Sequence, residues 1–450
     1  MDTFMNSSFG SFLCFLFAQH FPSRSWQSFI LLAYGWSLSS SRHTVAHYIW
    51  LSGGTKYKHF SQFYCFLDRA FLRLIDQLWI SLLHFVDQLL PADQVLVLVV
   101  DDRVRKKSGR KIQGASNYQN RAGSARQEYR TLWGLNFVYV TLCLNWSQCG
   151  RVFSLALPLG LRIYLKEQTA LKLKRTFQCR SYLARQIIDF IIKTLPHRRF
   201  LIKADGGYST KVFLRKLPPN THFIGRFIIN SRLFELPERS NNKVGRPPKK
   251  GKDLGTPLEW ITSEQDWIPH PTEAGALIKT RTGMWHRVLP GVLITVVAVW
   301  RKDLNCPDKR SAKKQLEAFF SSDLSLTSAH ILSHYAQRWT VEIDIRDGYA
   351  YYGLGKDQCR NLDRILGINT FRILMASCRT LWFIKYFQHR QLDLKYLRPW
   401  YLKKQQPSQL DVFSATQEAF ALQGISPVPR FFNGTTEIYS IQQNTVNKVA

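Results

Sequence analysis

The sequence predicts an α/β protein in which a mixed sheet is flanked by helices. Three runs rich in β-branched and other apolar residues, at 95–100, 132–144 and 151–159, are typical of strands that follow one another as a meander. Two later segments, 165–195 and 334–355, carry apolar residues at helical spacing. This alternation of strands and long helices indicates a sheet covered by helices rather than an all-β or all-helical protein.

The size and charge of the chain limit its partners. It has 450 residues, enough for two or three domains, and 62 Lys and Arg against 31 Asp and Glu give a net charge of +31. Such an excess predicts a polyanionic partner, with nucleic acid favoured and an anionic membrane surface as the competing choice. Because no run of about 20 apolar residues is present, no membrane-spanning segment is expected. The eight cysteines are scattered without a CxxC pair, which favours reduced thiols in a cytoplasmic protein.

The first 90 residues are predicted to be helical. Apolar residues recur at helical spacing in 21–36 and 60–90, and between them a short helix carries Thr44 and His47 after a serine-rich cap. Two short helices joined by a polar turn are able to place one helix in a groove of DNA. A plain helical packing domain is the alternative interpretation.

A pair of acids ends the first predicted strand. The apolar run 95–100 stops at Asp101 and Asp102, and a loop rich in Arg and Lys follows, beginning RVRKK. Acidic residues at the end of a buried strand are costly unless they are paired or exposed in a cleft. The arrangement predicts a carboxylate site next to phosphate-binding cations, among them Lys106 and Lys107.

A second strand also ends in an acid. After the long basic helix expected at 165–195, the segment 199–210 reads as a strand that ends at Asp205 and is followed by two glycines, which permit a sharp turn and close approach of a ligand. Ser209 is the expected cap of the next helix, and 221–230 is a further strand.

A basic, glycine- and proline-rich loop interrupts the pattern within 231–286. Its sequence GRPPKK has the composition of segments that enter an A·T-rich minor groove, which makes Arg246, Lys249 and Lys250 candidate DNA contacts. A flexible solvated loop is the alternative. Three tryptophans of this region serve either to stack on an unpaired base or, more commonly, to fill the core: Trp260, Trp267 and Trp285.

The last part of the chain is predicted to be a strand at 287–302, then a helix at 311–322, then the helix at 334–355. On one face of that last helix lie Tyr335, Arg338, Glu342 and Arg346, at offsets of three, four and four. A salt-bridge ladder of Glu342 with both arginines is the simplest interpretation. A helix at 369–388 is expected to pack behind it, and most of 405–450, which is polar, is expected to be loosely ordered.

Strand ends that converge in one sheet bring distant carboxylates together. We therefore predict that Asp102, Asp205 and Glu342 meet in a groove lined with cations. Three such carboxylates suit two divalent hard cations, with Mg²⁺ favoured and Mn²⁺ as a substitute. Arg338 is expected to hold a phosphate, since a guanidinium fork matches its oxygens.

These motifs resemble those of the DDE transposases of bacterial insertion sequences whose signature is Y-(2)-R-(3)-E-(6)-K. Tyr335, Arg338 and Glu342 match the spacing, but Tyr349 stands where the signature has Lys. The phrase VLVLVVDDRVRKKSG is similar to the first-acid strand of the family, with Asp102 as the favoured acid and Asp101 as the runner-up. KADGGYS is similar to the second-acid motif. The resemblance covers about residues 20–390.

The resemblance implies an RNase H-like catalytic core with a β-rich insertion and an N-terminal helical DNA-binding domain. It also implies cleavage at transposon ends and strand transfer into target DNA by a homodimer in a synaptic complex, in the cytoplasm of a bacterium and at its nucleoid when bound. The expected units are an N-terminal domain at 1–90, a core in two parts at 91–230 and 287–390, the insertion at 231–286 and a tail at 391–450.

Three other interpretations stay open at this point. The missing Lys and the Arg at position 103, where the family has Thr, would suit a DNA-binding protein that descends from a transposase but is inactive. A stand-alone RNase H-like nuclease acting on branched or hybrid nucleic acid is a second choice, and a basic protein of the membrane surface is a third.

Overall fold

The computed structural model describes residues 2–40, 43–119, 131–148, 150–237, 248–262, 265–301, 315–388 and 404–425. Its centre is a mixed sheet of twelve strands with helices on both faces, so the predicted fold class is confirmed. The strands are Leu96–Lys106 (β1), Ser116–Gln119 (β2), Thr131–Gln148 (β3), Arg151–Tyr164 (β4), Phe200–Ala204 (β5), Thr221–Arg226 (β6), Leu233–Phe234 (β7), Asp253–Gly255 (β8), Ile268–Pro269 (β9), Ala276–Met284 (β10), Leu293–Arg301 (β11) and Leu316–Ser321 (β12).

The strand order matches the core that the resemblance implies. The antiparallel strands β4, β3 and β1 form the expected meander, β5 joins β1 in parallel, and β6 joins β5 in parallel. Beyond β6 the sheet continues through β12, β11 and β10. Because β10 pairs with β11 along its whole length, the predicted insertion extends the sheet.

The helices of the described residues cover both faces of this sheet. They are Asp2–Met5 (α1), Ser8–Phe17 (α2), Ser23–Leu38 (α3), Val45–Leu51 (α4), Phe60–Cys65 (α5), Phe71–Leu89 (α6), Glu167–Lys172 (α7), Arg180–Thr194 (α8), Lys211–Leu214 (α9), Pro257–Trp260 (α10), Ser328–Ala336 (α11), Trp339–Tyr351 (α12), Leu362–Phe387 (α13) and Gln409–Leu422 (α14).

The N-terminal helices pack on the helix that follows the third predicted acid. The ring of Phe29 in α3 lies 5.9 Å from that of Phe371 in α13, and both are fully buried in one large apolar cluster. A Cβ at Gly367 of α13 would lie 2.1 Å from the carbonyl oxygen of Leu67, so glycine is needed for this close approach. The N-terminal helices and the sheet therefore share a core. The short helix α4 is capped by Thr44.

Several predicted elements differ from the observed ones. β1 does not stop at Asp101 but runs to Lys106, because its second half pairs with β3. The helix predicted at 165–195 is two helices, α7 and α8, separated by a turn in which Lys174 has a φ of 53°. Thr210, not Ser209, caps α9.

The segment predicted as a helix at 311–322 contains a strand. Leu316–Ser321 lies between β11 and β6 in the sheet, and its pairing on both edges overrides the local helical preference. In the tail, most of 405–450 was predicted to be loosely ordered; within it, Gln409–Leu422 is a helix with a capping box at Ser408 and Asp411. It packs against α12 and α13.

The tryptophans of the insertion are used in packing. Trp260 and Trp285 are buried in the core, and Trp267 is half-buried against Trp300 at 5.5 Å between ring centroids. Core packing is therefore the interpretation that the structure supports for these three side chains. Among the described residues, no helix is long and apolar enough to cross a membrane, and the cysteines found there are free thiols.

Candidate active site

Asp101 and Asp102 lie on opposite faces of the sheet because neighbouring side chains alternate along β1. The face that carries Asp101 is covered by α12. Arg105, four residues on and on the same face, donates to the carbonyl oxygen of Ile345 at 2.7 Å. Thr141, the β3 partner of Val99, donates to Asp344 at 2.7 Å.

Asp101 and Asp205 approach each other on the α12 face. β1 and β5 are parallel, with Val100 paired to Ala204, and each acid comes one residue after that pair. The pKa of Asp101 is raised to about 7, mainly by burial and in part by the negative charge of Asp205. The hydrogen bond from the Asp102 amide and the charge of Arg338 lower it, but they do not compensate. The two acids therefore repel each other across neighbouring strand ends.

The turn after β5 holds Asp205. Its carboxylate accepts the backbone N–H of Gly207 at 2.8 Å and caps the short 3₁₀ turn Gly206–Tyr208. Two residues earlier on the same face, Lys203 is buried and donates to Gln337 at 2.8 Å. Burial lowers the pKa of Lys203 to about 8. Lys203 was missed from the sequence, although its position two residues before Asp205 places it on the same side of the strand.

Glu342 reaches this group through Arg338. The segment predicted as one helix from 334 is broken at Gln337 and Arg338, so α11 ends before α12 begins. Arg338 precedes α12 and donates to Glu342 at 2.7 Å, while its other nitrogen lies 3.6 Å from Asp101 Oδ2. Arg338 also lies over the ring of Tyr335, at 5.8 Å. Of the predicted ladder, the first rung is present, whereas Arg346 pairs with Asp347.

Asp102 faces away from this group and is fully used by other partners. Its carboxylate accepts from Arg180 of α8 at 2.9 and 3.0 Å, from Asn136 at 2.8 Å and from Tyr208 at 3.1 Å. The structure thus corrects the prediction that Asp102 joins Asp205 and Glu342. The acid on their face is Asp101, the runner-up.

A basic groove borders Glu342. It has a volume of about 380 Å³ and is lined on one side by β1 and on the other by α12. The cations on its walls are Arg103, Arg105 and Arg346. The exposed Trp339 and Tyr349 supply aromatic surface. Such a groove is suited to a phosphodiester chain and its bases.

The remaining predicted DNA contacts are distributed unevenly. Lys106, Lys249 and Lys250 are exposed, and Arg246 lies outside the described residues. The structure corrects the prediction that Lys107 contacts DNA. Its ammonium group is buried and donates to Gly355 O, Asp357 O and Asp357 Oδ2 at 2.8–3.0 Å. Lys107 therefore fastens the segment after α12 and does not face a phosphate.

The donor set fits a divalent metal ion in kind. Asp101, Asp205 and Glu342 supply the oxygen ligands that Mg²⁺ and Mn²⁺ prefer. Burial and, to a lesser degree, the charge of Asp205 raise the pKa of Asp101, and a bound cation would offset both effects. Within the described part of the chain, no three His, Cys, Asp or Glu side chains are already close enough to hold an ion. Arg338, bonded to Glu342 and beside Asp101, supplies the positive charge there instead.

The family model described as DDE superfamily endonuclease matches residues 16–288. The chain belongs to the DDE superfamily of endonucleases. A search among curated proteins found no match.

Membership has consequences for the acids. The matched residues of this DDE endonuclease include Asp101, Asp102 and Asp205, whereas Glu342 lies beyond them. Endonucleases of this family act on DNA and generally use divalent metal ions. The excess of Lys and Arg is in keeping with a DNA substrate.

Proposed function

We propose that this DDE endonuclease is a transposase that binds the ends of its insertion sequence, cleaves the DNA by phosphodiester hydrolysis and joins the 3′ ends to target DNA. The observation that carries the proposal is the convergence of Asp101, Asp205 and the Arg338–Glu342 pair on one side of the sheet, beside a basic groove.

In this proposal the metal ligands are Asp101, Asp205 and Glu342, for two Mg²⁺ ions that Mn²⁺ can replace. Bound there, the ions would lower the pKa of an attacking water or 3′-hydroxyl and offset the charge on the departing oxygen. Arg338 keeps Glu342 and Asp101 together before DNA arrives, and it then exchanges a carboxylate for a phosphate oxygen. Tyr335, which lies under its guanidinium group, orients it.

Tyr349 stands in place of the signature Lys, but the position is not without positive charge. Arg105 and Lys356 each lie 4.7 Å from the centre of the Tyr349 ring. These two cations, together with the exposed Arg346, are able to contact the DNA backbone where the Lys would. This arrangement favours an active enzyme over an inactive descendant.

The N-terminal helices offer a surface for end binding. A groove of about 670 Å³ between α3 and the helices after Gly54 is lined by four cations and, among its described lining residues, no acid. These cations are Arg24, Lys58, Arg69 and Arg73. We assign this groove to the backbone of the transposon end, with α4 as the element that reads bases, in a homodimeric synapse within the bacterial cytoplasm.

The test is cleavage of a duplex that carries the inverted repeats bordering the reading frame. Purified protein with Mg²⁺ is expected to nick at the repeat ends and, with a target plasmid, to give joined products. The same duplex with scrambled repeats is the control. Binding without nicking would favour the inactive DNA-binding protein. Preference for a branched junction over the repeats would favour the stand-alone nuclease. Preference for anionic vesicles over duplex DNA would favour the membrane-surface protein.

A further inference from the structure

A second basic pocket lies on the other face of the sheet from the acids. On β12, Phe319 stacks on Tyr335 with ring centroids 4.6 Å apart, whereas the next residue, Phe320, contacts Trp285 at 5.5 Å. Because neighbouring strand residues point to opposite faces, the turn that begins at Trp285 lies opposite Tyr335 and Arg338. This turn is one wall of a pocket of about 770 Å³.

Three separate segments of chain bring cations into this pocket. Arg215 and Lys211 come from α9 and its end, Lys249 and Lys250 from the basic loop, and Arg287 from the turn after β10. No acidic side chain is present among the lining residues that the structure describes. Each cation is exposed, and five like charges around one cavity repel each other unless an anion lies between them.

His286 shows how closely these charges converge. Burial lowers its pKa, and the charges of Lys250, Lys249 and Arg215 lower it further. Its Nδ1 atom is buried and has no hydrogen-bond partner among the described residues. The pocket therefore has the charge and the size that an anion with several oxygens requires.

We propose that this pocket, which we name the rear pocket, binds backbone phosphates of a DNA segment that does not lie in the acidic cleft. The proposal rests on the proposed function only in taking DNA as the polyanion. It gives Lys249 and Lys250 partners that the sequence did not reveal, namely Lys211, Arg215 and Arg287. The charged groups among the lining residues that the structure describes are Lys and Arg side chains, which are suited to contacts with phosphate oxygens.

The experiment uses the full-length protein and a long fluorescent duplex of random sequence. The double variant Lys249→Glu/Arg287→Glu is compared with Lys172→Glu/Lys193→Glu, which reverses the same charge at exposed cations outside the rear pocket. We expect the first variant to bind at least about tenfold more weakly. The slope of log affinity against log salt should fall by about 2. The control variant should change both quantities much less.

Two outcomes would overturn the proposal: equal losses in both double variants, or an unchanged salt slope for the rear-pocket variant. If the glutamates impair folding, judged by thermal unfolding, Lys249→Gln/Arg287→Gln tests the same loss of contacts. A wild-type protein that never nicks, with the binding loss still confined to the rear-pocket variant, would refute the transposase proposal and leave this one standing.

Discussion

Asp101 and Asp102 are adjacent in sequence, yet the structure treats them differently. Asp102 accepts hydrogen bonds from Arg180, Asn136 and Tyr208, so its charge is neutralised and both oxygens are used. Asp101 is half-buried beside Asp205, receives one backbone hydrogen bond, and has only a more distant guanidinium group at 3.6 Å. The first carboxylate of the pair is poorly compensated, and the second is fully compensated.

The difference teaches which acid is available for chemistry. A carboxylate that a fold has fully satisfied stabilises that fold, whereas one that is buried, crowded by a like charge and held near neutral pKa is a candidate ligand for a cation. Asp102 joins β1 to α8 and, through Tyr208, to the turn that carries Asp205. We infer that Asp102 positions the turn and that Asp101 enters the reaction.

The largest expected effect is the loss of cleavage on removal of a ligand charge. Asp101→Asn, Asp205→Asn and Glu342→Gln should each reduce metal-dependent nicking by at least about 10³-fold, equivalent to about 4 kcal/mol on the barrier. End binding, measured by gel shift, should stay within a few-fold of wild type. Asp102→Asn, which keeps the shape and one acceptor oxygen, should nick far better than Asp101→Asn. Equal loss in these two variants would remove the distinction between the acids.

The next effect concerns Arg338, which lies between Asp101 and Glu342. Arg338→Ala should lower nicking by about 10²-fold, the typical cost of losing one preorganised charge contact, and should also weaken DNA binding. Arg338→Lys keeps the charge but not the two-pronged contact with Asp101 and Glu342, so it should restore binding more than nicking. Single-turnover rates and gel shifts on the same duplex separate the two readouts. Full activity of Arg338→Ala would contradict the assigned role.

A smaller effect, on stability, is expected when the carboxylate of Asp102 is removed. Asp102→Ala leaves the buried Tyr208 hydroxyl and the Asn136 amide without their acceptor, which should cost about 1–3 kcal/mol in the free energy of unfolding. Urea unfolding measures this loss, with Asp102→Asn as the matched control that keeps an acceptor. An unchanged midpoint for Asp102→Ala would show that these hydrogen bonds do not hold the turn.

The smallest effect is a dependence on pH. The folded-state pKa of Asp101 is raised to about 7, so folding favours its protonated form. The favourable contribution of protonated Asp101 to the free energy of unfolding is complete below the unfolded-state pKa and is lost as pH rises through about 7. Burial also raises the pKa of Asp344 to about 7. Asp344 is present in both wild type and Asp101→Asn, so its contribution is the same in the two proteins. Between about pH 5 and pH 8, Asp101→Asn should therefore lose less stability than wild type. Parallel stability curves would contradict this.

Much of the fold was predictable because its signals are local. The apolar runs and the acids that follow them located β1, β3, β4 and β5, and the helical spacing of 21–36 located α3. β12 was mistaken for a helix because its strand conformation depends on pairing with β11 and β6, which are distant in sequence.

The candidate site was predicted only in part, because some of its contacts also join residues that are distant in sequence. Asp205, Arg338 and Glu342 follow from motif spacing, but the choice between Asp101 and Asp102 depends on which face of β1 meets α12. That face is set by packing between segments more than 200 residues apart, such as the bond from Arg105 to Ile345 across 240 positions. The burial of Lys107 also depends on such a contact, with Asp357, and composition alone marked it as a surface cation.

The most direct test of the account is a binding measurement without chemistry. Mn²⁺ binding to wild type, Asp101→Asn and Asp102→Asn, each with uncleavable end DNA, is followed by electron paramagnetic resonance. The account predicts that Asp101→Asn weakens Mn²⁺ binding by at least about tenfold, or 1.4 kcal/mol, while Asp102→Asn stays close to wild type. Weaker binding in Asp102→Asn together with wild-type binding in Asp101→Asn would contradict it.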